Sequence, residues 1–163
     1  MKRSSILFFG VVLLLPLLLT GCGKTAAELT AEKIIENNLG GNADVNIKGD
    51  SVNIETDQGN WQAGQGASLP DNWPADIYVP EGNIITAINT GLNQGITVVV
   101  DKSVAELKDE YKEQMAGLGW NSTTEFSIDN SVILGAEKDG RLLSISIVSE
   151  DNQSTMVITW SQN

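Results

Sequence analysis

The sequence predicts an α+β fold: a twisted, mostly antiparallel sheet backed by one long helix, with a short helix and a β-hairpin in front of it. Short segments in which apolar residues alternate with polar ones are typical of strands, and turn-forming Gly, Asp and Asn separate them. One stretch has apolar residues at helical spacing behind a capping box. The simplest combination of one long helix with antiparallel strands is a sheet whose face that helix covers.

The first 21 residues are predicted to be a secretory signal peptide. Lys2 and Arg3 precede a stretch from Ile6 to Leu19 with no polar side chain, interrupted only by Gly10 and Pro16. Fourteen helical residues reach only about 21 Å, which is less than the roughly 30 Å hydrocarbon core of a bilayer. We therefore expect export followed by cleavage.

Leu19-Thr20-Gly21-Cys22 ends this stretch. It resembles the bacterial lipobox, in which an aliphatic residue and two small residues precede a cysteine. The resemblance implies that Cys22 receives diacylglycerol in thioether linkage, that signal peptidase cuts before it, and that palmitate-like acyl chains anchor the mature lipoprotein. Two or more chains, at about 0.8 kcal/mol per buried methylene, hold a protein stably where one would be marginal. Cys22 is the only cysteine, so no intramolecular disulfide is expected.

Four segments are predicted along the chain. Residues 1–21 form the signal peptide, and residues 22–25 form the lipidated N-terminus and linker. Residues 26–68 form a helix–hairpin segment, which is too small to be stable alone and is expected to pack on the main α+β module of residues 69–163.

The short helix is predicted over about residues 26–39. Thr25 and Glu28 match a capping box at its start, and Gly40-Gly41 follows its end. The stripe expected to pack against the protein consists of Ala31, Ile34, Ile35, Asn38 and Leu39, and the residues expected to face away are Glu32, Lys33 and Glu36.

The strands after this helix begin with a hairpin. Asp44–Lys48 and Ser51–Thr56 flank Gly49-Asp50, a turn with glycine first, and Trp61 and Ala63 indicate a third short strand. The next segment, Leu69–Gly82, holds three prolines and is expected to be extended and irregular.

The main module then follows the order β-β-α-β-β-β-β. Two strands over Ile84–Asn89 and Ile96–Asp101 precede the long helix, which begins behind Ser103 and ends at Gly119. The apolar stripe of this helix consists of Val104, Leu107, Tyr111, Met115 and Leu118.

Four strands complete the module. The first carries Trp120, Phe126 and Ile128 on one face by strand parity, and the next two form a hairpin around Asp139-Gly140. The last strand covers Thr155–Ser161. Over about residues 69–161 the pattern resembles modules in uncharacterised bacterial envelope lipoproteins, a resemblance that implies no activity.

The composition excludes several kinds of chemistry and partner. There is no histidine, and lipid is expected to consume the one thiol, which leaves no familiar triad, thiol nucleophile or cysteine zinc site. Removal of Lys2 and Arg3 with the signal peptide leaves 8 basic residues against 21 acidic ones, a formal charge of −13. Such a surface repels nucleic acid and anionic lipid headgroups. No metal and no cofactor are expected.

These observations predict a non-enzymatic interaction or scaffolding lipoprotein. Its partners are the membrane, through the lipid on Cys22, and an envelope protein or glycan. It is expected on the extracytoplasmic face of the cell membrane, or on the outer membrane of a two-membrane cell. The alternative is a small-ligand or glycan-binding lipoprotein with a stacking platform of Trp61, Trp73 and Tyr78, and an envelope hydrolase that uses Asp71, Asp76 or Glu81 comes third.

Overall fold

The computed structural model describes residues 24–39, 42–150 and 153–162, which contain two helices and nine strands. The helices are α1, Ala26–Asn38, and α2, Val104–Gly117. The strands are β1 Ala43–Lys48, β2 Ser51–Thr56, β3 Gly59–Ala63, β4 Asn83–Asn89, β5 Asn93–Val100, β6 Asn121–Ile128, β7 Ser131–Lys138, β8 Arg141–Glu150 and β9 Gln153–Gln162.

The prediction of an α+β fold backed by one long helix is wrong. All nine strands belong to one antiparallel sheet, and strands hold about half of the described residues against about a fifth in helices, so the fold is mostly β. The physical reason is one of size. Helix α2 has 14 residues and is about 21 Å long, whereas nine strands about 4.8 Å apart span roughly 38 Å.

The sheet joins two meanders in the order β1-β2-β3-β4-β5-β9-β8-β7-β6. The chain runs through β1 to β5, crosses over by way of α2 to the far edge at β6, and returns strand by strand to β9. Every residue of β5 pairs with β9, and this pairing joins the two meanders into one sheet. The hairpin predicted ahead of the main module is therefore part of the same sheet, because β3 pairs with β4.

The core lies between α2 and one face of strands β4 to β9, which we call the α2 face. Ser103 and Glu106 form the predicted capping box, and Leu107, Tyr111 and Met115 are each at most 5% exposed. The strand residues buried on this face are Ala87, Ile96, Val98, Val100, Val132, Leu134, Ala136, Leu143, Ile145, Ile147, Met156, Ile158 and Trp160. The irregular segment before β4 completes this layer, because Ile77 is buried in the same cluster.

Helix α1 has nearly the predicted bounds and the Thr25–Glu28 capping box, but its orientation is only partly as predicted. Ala31 and Ile35 are half-buried and Lys33 is exposed, whereas Glu32 and Ile34 are reversed. Glu32 is buried at 6% exposure, whereas Ile34 is 56% exposed. No strand pairs with the outer edge of β1, so its backbone N–H groups need other acceptors. A buried N–H group without an acceptor is more unfavourable than an exposed apolar side chain. The glutamates of α1 supply those acceptors.

Strand β6 also departs from its predicted parity. Trp120 is buried beside α2, but Phe126 is 53% exposed on the other face of the sheet. The register of β6 against β7 shifts between Ser122 and Thr124. One extra residue in a strand reverses the face of every residue after it, so Trp120 and Phe126 lie on opposite sides.

Candidate functional site

The predicted lipidation site lies outside the described residues, as do Leu19, Thr20 and Gly21 of the lipobox. The described chain begins at Lys24, two residues after Cys22. Lys24 donates to the Glu32 carboxylate at 2.6 Å, and Thr25 caps α1. The first described helix, which begins at Ala26, therefore starts four residues after the cysteine.

The three aromatic residues of the predicted platform do not share a face. Trp73 and Tyr78 are half-buried against the core under α2, where the indole Nε1 of Trp73 donates to the carbonyl of Ile77 at 3.4 Å. Trp61 lies opposite Ile54 and Ile88 in the sheet, on the other face. One sugar therefore cannot stack on all three rings.

Tyr78 is held by α2 through both its ring and its hydroxyl. The hydroxyl donates to the Glu110 carboxylate at 2.5 Å, and Lys102 donates to the other oxygen of that carboxylate, also at 2.5 Å. Burial, with the Glu110 negative charge beside it, raises the pKa of Tyr78 to about 12. The ring packs at 5.7 Å from that of Tyr111, whose hydroxyl donates to the Tyr78 carbonyl. These contacts anchor the proline-rich segment.

Asp76 is the centre of a second anchor, which we call the Asp76 clasp: Asp76, Trp120, Lys138 and Arg141. Arg141 donates to both carboxylate oxygens, at 2.8 and 2.7 Å, and Lys138 donates at 2.7 Å. The Arg141 guanidinium lies 5.0 Å from the centre of the Trp120 ring, and Trp120 Nε1 donates to the Asp76 carbonyl. The two cations hold the pKa of Asp76 far below its usual range. A carboxylate so stabilised in its charged form is unsuited to act as a general acid.

The remaining carboxylates and loops offer no assembled chemistry in the described part of the chain. Asp71 and Glu81 are exposed and form no ion pair with another described residue. Asp57 and Gln58 form the turn between β2 and β3, and the Asp151-Asn152 loop lies outside the described residues. Across the described ranges, no cluster of three acidic, histidine or cysteine residues is arranged to hold a metal.

The most distinctive surface is the side of strands β5 to β9 opposite α2, which we call the open face. No described helix packs on it. Its central row crosses the strands through small side chains, namely Gly95, Thr159, Ser144, Gly135 and Thr124. One flanking row carries Val157, Ile133 and Phe126, and the other carries Leu142 among polar residues.

Exposed large apolar side chains are concentrated on the open face. Seven of the twelve large apolar side chains exposed in the described part lie on it or at its border with β4. They are Ile88, Phe126, Ile128, Ile133, Leu142, Val148 and Val157. A contiguous patch of this kind marks an interaction surface, whereas scattered exposed apolar residues need no explanation.

Charged residues are scarce among the side chains described on the open face. Of the side chains described on it, only Glu137 is ionisable, and Glu137 lies at the end of β7 next to the hairpin turn. The full chain has a net charge of −11. The acidic residues are therefore concentrated on the other surfaces.

A shallow groove of about 600 Å³ follows the small-residue row. Gly95 and Ser144 lie at its floor, and Ile88, Ile133 and Leu142 form its walls. A Cβ added at Gly135 would come within 3.0 Å of Thr123 Oγ1 and 3.1 Å of Thr124 Cβ, so the glycine leaves room for the threonine side chains of β6.

Sequence reasoning missed this surface. In β8, Ser144 and Ser146 alternate with the apolar Leu143, Ile145 and Ile147, and no function was predicted from sequence for the serine side. The sequence did hold one indication of it. Ile133, Val157 and Leu142 alternate onto the same side of the sheet as the serines and threonines, where a solvated face would carry charged residues.

No protein-family model, curated protein or solved structure matches the chain. Within the described residues, neither helix has the length and apolar character needed to cross a membrane.

Proposed function

We propose that this chain is a membrane-tethered lipoprotein of the bacterial envelope, whose folded part is a non-enzymatic interaction module. The open face is the observation that supports an interaction module. It is an exposed, nearly uncharged sheet surface with a groove along it, on a chain of net charge −11. Proteins seldom leave such a surface unpartnered.

The membrane tether is supported by Leu19-Thr20-Gly21-Cys22 and by the basic and apolar segments before it. The short distance between Cys22 and Ala26 agrees with a domain held at the bilayer surface. The acidic surface makes an electrostatic membrane contact unfavourable, so attachment depends on lipid.

Metabolic labelling tests the tether. Wild-type protein should incorporate labelled palmitate and partition into detergent, and globomycin should cause precursor to accumulate. Cys22→Ser should abolish labelling, whereas Ser4→Ala, a control in the same signal peptide, should label normally. An unmodified Cys22 in mass spectra, or a mature N-terminus downstream of it, would refute the lipoprotein assignment.

Ligand and substrate assays test the non-enzymatic module. Titration with cell-wall sugars should leave tryptophan fluorescence unchanged, because Trp73 is packed against protein and Trp61 lies on the opposite side of the sheet. The purified protein should also release no product from peptidoglycan. Saturable quenching that is lost in Trp61→Ala, or turnover that is lost in Glu81→Gln, would favour the alternatives.

A further inference from the structure

We propose that the partner of the open face is a second copy of this chain, packed face to face about a two-fold axis. This inference rests on the proposed function in that it names the partner of the interaction module. It concerns strands β5, β9, β8, β7 and β6, which lie in this order across the sheet.

The size of the open face matches a standard protein interface. Five strands about 4.8 Å apart are about 24 Å wide, and eight residues at about 3.3 Å each give a length of about 26 Å. The flat area is therefore roughly 600 Å² on each copy and roughly 1,200 Å² for the pair, which reaches the lower bound of stable interfaces at about 1,200 Å².

Charge favours a second copy on this face rather than elsewhere. Two chains of net charge −11 repel one another wherever their acidic surfaces meet. Among the side chains described on the open face, Glu137 at its border is the one carboxylate that a second copy would meet.

A groove and a row that holds larger side chains lie next to each other on the open face. The groove over Gly95, Ser144 and Gly135 lies beside a ridge formed by Val157, Ile133 and Phe126. In a two-fold dimer the same patch serves both copies, so an axis between these two rows would set the ridge of one copy over the groove of the other. Sheets packed in this way lie about 10 Å apart, and the mixture of threonine, serine and aliphatic side chains resembles a protein interface in polarity more than a lipid-facing surface.

Site-directed cross-linking in cells tests the dimer. Strand β8 is the middle strand of the open face, and Ser144 is exposed at its centre, so Ser144→Cys places a thiol close to the proposed axis. A bismaleimide that spans about 10 Å, the spacing of packed sheets, should link two full-length chains. Asn46→Cys, an exposed position on β1 away from the open face, is the matched control and should give no dimer.

A second substitution tests the face itself. Val157→Glu in the Ser144→Cys background places like charges in the interface and should abolish the cross-linked dimer, whereas Asn46→Glu in that background should leave it. Val157→Thr, which keeps a β-branched side chain of similar size, should weaken the dimer several-fold and covers the case in which Val157→Glu does not fold.

The outcomes separate the dimer from the tether. Absence of a dimer at Ser144→Cys, equal dimer at Asn46→Cys, or a cross-linked product with the mass of a different protein would overturn the dimer. Palmitate labelling of the same cells reports the tether independently. Cross-linking of the parent protein, whose only thiol is Cys22, would instead show that Cys22 is free and that the tether proposal fails.

Discussion

At the scale of single residues, Asp76 fixes a long irregular segment to the sheet. The segment between β3 and β4 has no regular hydrogen-bond ladder, so side-chain contacts must hold it in place. Asp76 meets Arg141 and Lys138 at the turn between β7 and β8, and Trp120 lies under Arg141. A bidentate pair of this geometry is stronger than an ordinary surface ion pair.

Replacement of this carboxylate should destabilise the protein in a pH-dependent way. Asp76→Asn should lower the free energy of unfolding by about 1 to 3 kcal/mol at pH 7, because it leaves two cations without their partner. The folded pKa of Asp76 lies below its unfolded value of about 3.9, so its stabilisation is present above that pH and is lost as the pH falls through the folded pKa.

Urea unfolding at pH 7 and at successively lower pH measures both effects. The difference between wild type and Asp76→Asn should shrink below about pH 4. Asp71→Asn, a change of the same type at an exposed position without a recorded ion pair, should behave like wild type. A constant difference at every pH would exclude the ionised carboxylate as the cause.

At the scale of elements, α1 protects one edge of the sheet. Glu28, Glu32 and Glu36 lie one helical turn apart, and their carboxylates accept from the backbone N–H groups of Gly49, Ile47 and Val45 on the outer edge of β1, at 2.7, 2.6 and 3.4 Å. Unpaired edges invite aggregation, and a covering helix is one of the ways in which proteins prevent it. The carboxylates match the amides because residues four apart in a helix and residues two apart in a strand are both separated by about 6 Å along the element.

Removal of the central acceptor should open this edge locally. Glu32→Ala should speed hydrogen exchange at the Ile47 amide several-fold, whereas Glu32→Gln should retain much of the protection because its amide oxygen still accepts. Lys33→Ala, on the exposed side of α1, is the control and should leave exchange unchanged. The Ile47 hydrogen bond and Lys24 lower the pKa of Glu32, so protection in wild type should also fall in acid. Unaltered exchange in Glu32→Ala would contradict the assignment.

Helix α2 should be the most sensitive element to loss of apolar volume. Leu107→Ala should reduce the free energy of unfolding by about 2 to 5 kcal/mol, because Leu107 is 1% exposed and faces the core. Lys108→Ala removes only a 3.8 Å surface ion pair with Glu125 and should cost less than about 0.5 kcal/mol. Chemical denaturation of the two variants gives the comparison, and equal losses would exclude α2 as the packing centre.

At the scale of the whole molecule, the sequence predicted local elements and missed their assembly. Capping boxes at Thr25 and Ser103 and the Asp139-Gly140 turn depend on neighbouring residues, so they are readable from short windows. The pairing of β5 with β9 joins residues about 60 apart in the chain and leaves no local pattern. The extra residue in β6 reverses parity without any proline or glycine to mark it.

The position of the whole molecule relative to the membrane follows from its short linker. Only Gly23, Lys24 and Thr25 separate Cys22 from the first residue of α1, and three extended residues reach about 11 Å. If Cys22 carries lipid as we propose, the exposed first turn of α1 must lie close to the headgroups.

Energy transfer from a fluorophore at Ala27→Cys to acceptor lipids measures this distance on the lipidated protein in vesicles. Transfer should be efficient, and insertion of twenty Gly-Ser residues after Gly23 should reduce it, because such a linker has a root-mean-square length of about 25 Å. A chain that lacks residues 1–22, and therefore both the apolar signal segment and the lipid, should show no transfer, since its acidic surface gives it no affinity of its own for anionic vesicles. Transfer that is insensitive to the inserted linker would mean that a protein surface, and not the tether, sets the distance.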